Sequence, residues 1–188
     1  MTGAGRGVLL AWAPVPDGTA RRETSRALLR GLLAQTGHPD AVIAQRCGRC
    51  GSDGHGALTV AGAAWRASAS YAGGLAVVAV APATGIAALG IDAEPVDDAV
   101  RDAAGWQGVV TGGLTQWVRV EAALKADGRG LAVAPQTVRV TAHADGWTAR
   151  VPGSAHTYAG WEPAAPAGLV VSVAVREEAA AARHPATA

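Results

Sequence analysis

Apolar residues recur along the chain at two spacings, and these divide it into strands and helices. Val8 to Ala13 is a short apolar run ended by Pro14 and Pro16, which predicts a strand. After a turn at Asp17-Gly18, Ala27, Leu28, Leu32 and Leu33 form one stripe of a helix predicted over 20–36 and stopped by Gly37. Its other face carries Arg21, Arg22, Arg26 and Arg30. Residues 46–56, rich in Gly, Cys and Asp, read as a loop. Strands follow at 58–60, 64–70 and 75–80, the last a continuous apolar run suited to burial on both faces. A strand over 88–95 ends in two carboxylates, Asp92 and Glu94; 96–105 reads as a short helix, and 114–126 as a stronger one stopped by Asp127-Gly128. Segments 137–141, 147–151, 157–161 and 169–175 alternate or run apolar between turn residues, as antiparallel strands do. The order predicts an α+β protein of two similar halves packed together, 1–86 and 87–176, with 177–188 as a flexible tail.

Composition narrows this picture. At 188 residues the chain can bury one good core, or two small halves sharing one. Phe is absent, so the core must be built from Ala, Val and Leu plus some of the six Trp. Trp106, Trp147 and Trp161 are expected to be core fillers and not platforms for bases. The net charge of +1 excludes a generally basic nucleic-acid binder. Seven Arg in the first fifty residues, against Asp17, Glu23 and Asp40, fit a local anionic partner better than a polyanion. The first apolar run is too short, and Pro14 too early, for a signal peptide or a membrane span, so a cytoplasmic location with no membrane partner is expected. Cys47 and Cys50 are too few and too close for a secreted disulfide framework, which leaves reduced thiols or metal ligands. His143 and His156 read as surface residues, and no glycine-rich nucleotide fingerprint stands in a strand-turn-helix setting.

The basic residues hold the strongest hint of chemistry. Fifteen of the sixteen are Arg, and the single Lys is Lys125. An ammonium is a compact charge with freely turning donors, which a guanidinium fork does not replace at a phosphate or proton-transfer site. Asp92 and Glu94 stand two apart on a predicted strand and so share a face. Trp117, Glu121 and Lys125 stand four apart on a predicted helix and share a stripe. A helix laid across the end of that strand would bring three carboxylates to one ammonium, a donor set suited to Mg2+ completed by phosphate and water. The same spacing also describes a strand end and an ordinary exposed ion pair that bind nothing.

These residues carry a family resemblance. Gly90-Ile-Asp92-Ala-Glu94-Pro95 followed by Trp117-Val-Arg-Val-Glu121-Ala-Ala-Leu-Lys125 resembles the paired signature of the Sfp-type 4'-phosphopantetheinyl transferases. Upstream, Arg46-Cys-Gly-Arg-Cys50-Gly-Ser-Asp-Gly-His55-Gly56 resembles a cysteine-rich, histidine-glycine stretch of actinobacterial members, and Ser68-Ala-Ser70-Tyr71 resembles their serine-x-serine-histidine strand. The resemblance spans residues 20–175 in the right order. It implies a monomeric α+β protein whose halves are related by a pseudo-twofold axis and bind coenzyme A between them. In such enzymes a serine of an apo acyl or peptidyl carrier protein attacks the coenzyme A pyrophosphate, taking phosphopantetheine and releasing adenosine 3',5'-bisphosphate. Carried over, Asp92, Glu94 and Glu121 would hold Mg2+, and Glu121 and Lys125 would be catalytic. Arg26, Arg22, Ser70, Tyr71 and Lys125 would bind the cofactor substrate, with Arg21 and Arg30 as helpers.

The chain departs from the family pattern at several points. Tyr71 stands where the family has a phosphate-binding His, Ala57 where many members have a basic residue, and Val120 where the family has a Lys before its metal-binding Glu. Each lost charge-assisted bond is worth roughly 1.5–3 kcal/mol. The interval from Pro95 to Gln116 is about a helix shorter than the family's, in a part that normally supplies a base and docks the carrier; Asp97, Asp98 or Asp102 are the candidate substitutes, and the Gly-rich remainder reads as a flap. Two alternatives therefore stand beside the transferase. One is a family member that has lost the reaction and acts on or binds a carrier-protein- or coenzyme-A-linked intermediate in natural-product biosynthesis. The other is a zinc-binding interaction module built on Cys47, Cys50 and His55, with His38 as a possible fourth ligand.

Overall fold

The computed structural model describes residues 7–98 and 112–178 in full and the backbone of 2–5. Within these residues the chain is α+β, with two α-helices and three antiparallel sheets. β1 (Thr2–Gly5) and β2 (Val8–Pro14) lead into α1 (Arg21–Gln35), then β3 (Val42–Arg46), β4 (Ala57–Ala61), β5 (Trp65–Ala72), β6 (Leu75–Pro82) and β7 (Ile86–Pro95). After α2 (Gly113–Asp127) come two short 3-10 turns and β8 (Arg139–His143), β9 (Gly146–Arg150), β10 (Thr157–Trp161) and β11 (Leu169–Glu177). One sheet has the order β1-β2-β6-β5, the second β7-β11-β10-β9-β8, and β3 pairs with β4 as a separate hairpin.

Alternation along the strands sets the layers. In β6, Val77, Ala79 and Ala81 face a core shared with the second sheet, while Val78 and Val80 face α1. Burial on both faces is why this strand is a continuous apolar run and not an alternating one. β7 and β11 answer with Ile91, Ala93, Val171, Val173 and Val175 in the same shared core. α1 closes the outer face of the first sheet with Leu29, Leu32 and Leu33. α2 closes that of the second with Val120, Ala122, Ala123, Leu124 and Ala126 around the buried Trp147 and Tyr158. Helix, sheet, sheet and helix thus stack as layers around a core of small side chains.

Two strands, β1 and β3, fall where the sequence predicts none, because each is short and β3 buries Ile43 alone among its residues. β11 runs two residues past the predicted strand, so the tail begins beyond Glu177. Of the short helix predicted over 96–105, Val96 to Asp98 are irregular; the remainder, with Asp102, Trp106 and most of the predicted flap, lies outside the described residues, as does the chain after Glu178. Trp147 is 2% exposed and Trp161 packs partly buried on the shared core, as core fillers do, while His143 and His156 are exposed. No helix of the described residues is long and apolar enough to cross a membrane.

Candidate functional site

β7 and β5 are edge strands of their sheets and lie against each other. The outer edge of β7 therefore meets side chains where a further strand would be. The Ile91 amide donates to Ser68 Oγ at 3.0 Å, and the Ile91 carbonyl accepts from Lys125 Nζ at 3.0 Å. Both polar groups of a buried backbone residue are thereby satisfied.

Lys125 comes from α2, which lies close on β7 because Gly90 has no side chain. A Cβ at Gly90 would overlap the Ala122 carbonyl oxygen and stand 2.6 Å from the Ala126 nitrogen. Close approach carries the Trp117, Glu121 and Lys125 stripe onto the face of β7 that bears Asp92 and Glu94. Lys125 Nζ donates to Asp92 Oδ1 at 2.7 Å and to Ser70 Oγ at 3.1 Å, and Ser70 Oγ in turn donates to Asp92 Oδ1 at 2.9 Å. Trp117 Nε1 donates to Glu94 Oε1 at 3.0 Å. Asp92, Glu94, Glu121, Lys125 and Ser70 are thus gathered on one seam between the sheets.

The seam is strained by its own charge. Burial, then the Asp92 and Glu94 charges, push the Glu121 carboxyl up to about 7, against the opposing pull of Lys125. Asp92 Oδ2 and Glu121 Oε1 are buried with no hydrogen-bond partner among the described residues. Two orphaned carboxylate oxygens fit a hard cation. Even so, the oxygens of Asp92, Glu94 and Glu121 do not all lie within 4.8 Å of one another; the one group of described residues that meets this spacing is Cys47, Cys50 and His55. Hydrogen bonds explain the difference, since Lys125 holds Asp92 and Trp117 holds Glu94.

The other expected cofactor residues form a second group at the opposite face of β5. Ser70 and Tyr71 are successive residues of a strand and point to opposite sides. Tyr71 Oη lies 2.7 Å from Ser25 Oγ of α1, and the Arg21 guanidinium sits 4.9 Å over the Tyr71 ring. Arg22 Nη1 donates to the Asp53 carbonyl at 2.8 Å, tying α1 to the Cys loop. Arg26, one turn on, has Nε buried without a partner among the described residues, and Arg30 is exposed. Val120 is fully buried in the core under α2, so a Lys at this position would lose its place in water. Asp97 is exposed and Asp98 half-buried just past β7.

In the Cys loop, Cys50 Sγ stands 3.3 Å from His55 Nε2. The Cys50 and Arg49 amides point at the Cys47 sulfur and hold its thiol below the usual value. His38 is not part of this group. It follows the C-terminus of α1 and packs edge-on against Trp65 at 6.0 Å, whereas the loop touches the first turn of that helix.

Sequence reasoning placed Ser68 in the serine-x-serine strand but gave it no role, though its two-residue spacing from Ser70 puts both on one face, and it gave none to Arg129 and Tyr158. The latter two meet at Asp127, where Arg129 donates at 2.6 and 3.1 Å and Tyr158 Oη at 2.8 Å. Burial opposes the Asp127 charge, but these donors outweigh it and hold the carboxyl below its ordinary range. The cluster borders an open pocket of about 340 Å³. No protein-family model matches the chain, and a search of curated proteins returns no significant match.

Proposed function

We propose that the chain is a diverged Sfp-type 4'-phosphopantetheinyl transferase, which moves phosphopantetheine from coenzyme A to a serine of an acyl or peptidyl carrier protein in the cytoplasm. One observation carries this reading: Asp92 and Glu94 of β7, Glu121 and Lys125 of α2 and Ser70 of β5 converge on a single seam. The element order supports it, because a strand, a helix, a two-strand unit and two further strands occur in each half, and β2-β6-β5 matches β7-β11-β10. A pseudo-twofold axis between the halves is the reading this order favours.

Asp92 and Glu121, whose orphaned oxygens suit a hard cation, would hold Mg2+, with Glu94 joining them on leaving Trp117 Nε1, and the ion when bound would supply charge neutralisation at a pyrophosphate. The chain's own groups have three tasks. Ser70 and Lys125 offer donors to phosphate oxygens, and for this the Lys125 ammonium must turn away from Asp92 Oδ1. Lys125 then stabilises charge that grows on the leaving phosphate as the carrier serine oxygen, its proton passing to solvent, bonds to phosphorus and the pyrophosphate P–O bond breaks. The arginines of α1 supply fixed cations for the nucleotide phosphates.

A specific observation favours the second reading, a member that binds a coenzyme-A- or carrier-linked intermediate without transfer. Tyr71 spends its hydroxyl on Ser25 and lies under Arg21, so the position offers no cation of its own. Incubation with apo carrier proteins, coenzyme A and Mg2+, followed by intact-mass analysis of the carrier, separates the readings. The transferase adds phosphopantetheine, and Glu121→Ala abolishes the addition. Coenzyme A binding with no mass gain on any carrier supports the second reading, and no coenzyme A binding sinks both.

A further inference from the structure

The loop between β3 and β4 has no hydrophobic reason to be ordered. Its ten residues, 47–56, are Cys, Gly, Arg, Cys, Gly, Ser, Asp, Gly, His and Gly, with no aliphatic or aromatic hydrocarbon side chain to bury. Four glycines raise the entropy lost on ordering it. Yet the loop is closed at every level. Arg46 pairs with Ala57 at its base. The Cys47 amide donates to the Ser52 carbonyl at 2.8 Å, and the Gly51 amide donates back to the Cys47 carbonyl at 2.9 Å. Gly56, at φ 105°, folds over Cys47 so closely that a Cβ would stand 2.7 Å from the Cys47 nitrogen. This return brings His55 to the two sulfurs.

The geometry points to a zinc site formed by Cys47, Cys50 and His55, with water in the fourth position. Their ligand atoms all lie within 4.8 Å of one another, and Cys50 Sγ to His55 Nε2 is 3.3 Å. Zinc at its usual distances from sulfur and nitrogen sets tetrahedral ligand atoms about 3.5–3.8 Å apart. The ligands therefore need only small rotations to share one ion. Two thiolates and an imidazole are the soft and borderline donors this ion selects over Mg2+. Binding releases the two thiol protons to solvent and involves no change of oxidation state.

No fourth His, Cys, Asp or Glu of the described residues joins the group. Cys50 and His55 are exposed, so the remaining position opens to water, which three protein ligands leave accessible to an anion or thiolate. Arg22 on the Asp53 carbonyl makes the clamped loop a brace for the basic face of α1. The site depends on none of the residues of the β7–α2 seam.

Metal titration of the full chain tests the assignment without reference to coenzyme A or transfer. Apo-protein under reducing conditions should take one equivalent of Co2+, with thiolate-to-cobalt charge-transfer bands and the intense d–d bands of a tetrahedral ion, and Zn2+ should abolish them. Cys47→Ser and His55→Gln should each weaken binding by more than the roughly 10–100-fold typical of outer-shell changes. Wild-type protein supplies a second readout free of any folding defect: one equivalent of Zn2+ should slow thiol modification of both cysteines. A six-coordinate cobalt spectrum, thiols equally reactive with and without zinc, or retained affinity in Cys47→Ser would overturn the site. So would a Cys47–Cys50 disulfide in the protein as isolated from reducing cytosol.

Discussion

Lys125 serves two demands that pull in opposite directions. In the fold it compensates Asp92, whose side chain is 6% exposed, and removing the ammonium leaves that carboxylate uncompensated. Lys125→Met should cost about 2 kcal/mol, less than the ~3–5 kcal/mol of a fully buried pair, because the Lys side chain is 29% exposed. For a chain of this size that is a melting temperature lower by roughly 4–8 °C. Adding Asp92→Asn should return most of the loss, and an unchanged melting temperature in the single variant removes the compensation argument. Glu121 gives the residue scale a pH signature. Its carboxyl titrates at about 7 when folded, above the 4.5 of an ordinary Glu, so between these values the folded state holds a proton that the unfolded state has lost. Its contribution to stability is full below about 4.5 and is lost as pH rises through 7. Urea unfolding without divalent cations should show this fall, with a slope of at most ~1.4 kcal/mol per pH unit, and Glu121→Gln should flatten it. A variant that keeps the slope would assign the titration to another group.

At the scale of elements, the site depends on how closely α2 lies on β7. Gly90→Ala puts a methyl group into the Ala122 carbonyl and against the Ala126 amide, neither of which can move without moving the helix. The expected cost is at least the ~1–3 kcal/mol of an overpacked core, seen as a lower urea midpoint. Glu121 and Lys125 should shift with the helix, so under the proposed function coenzyme A affinity should fall in the same variant; a full-affinity Gly90→Ala would mean that the contact does not position the seam. Much of this element-level design is legible in sequence. Both helices could be read because their stripes run several turns and end at Gly37 and Gly128, and the same-face rules correctly turned Asp92 and Glu94 toward Trp117 and Lys125. The contribution of β5 to the seam was legible only through the family resemblance, which grouped Ser70 with Lys125, and not from periodicity. Ser68 and Ser70 reach Ile91 and Asp92 across 23 and 22 residues, and periodicity says nothing of which edge meets which. The sequence places His38 only nine residues before Cys47, but the intervening chain puts it at the far end of a 15-residue helix from the loop.

The whole molecule is held by a core that belongs to neither half. Val8, Leu10, Val77 and Ala79 from one sheet interlock with Ile91, Ala93, Val171 and Val173 from the other, and all eight are at most 2% exposed. Separating the halves would bare this face in both, and Ser68 and Ser70 would no longer cover the β7 edge. A buried backbone group left without its partner costs ~1–3 kcal/mol, against a net stability of only ~5–15 kcal/mol for a domain. The two halves should therefore unfold together. Chemical denaturation followed by tryptophan fluorescence and by far-ultraviolet circular dichroism should give coincident single transitions. Residues 86–178 made alone should lack dispersed amide resonances and bind a hydrophobic dye, despite containing a helix and all five strands of the second sheet. A well-dispersed spectrum from that fragment would make the halves autonomous domains, and the seam a junction between finished surfaces. Coincident transitions with an unfolded fragment make the seam an integral part of the core, so that Asp92, Ser70 and Lys125 come together only when the whole chain folds.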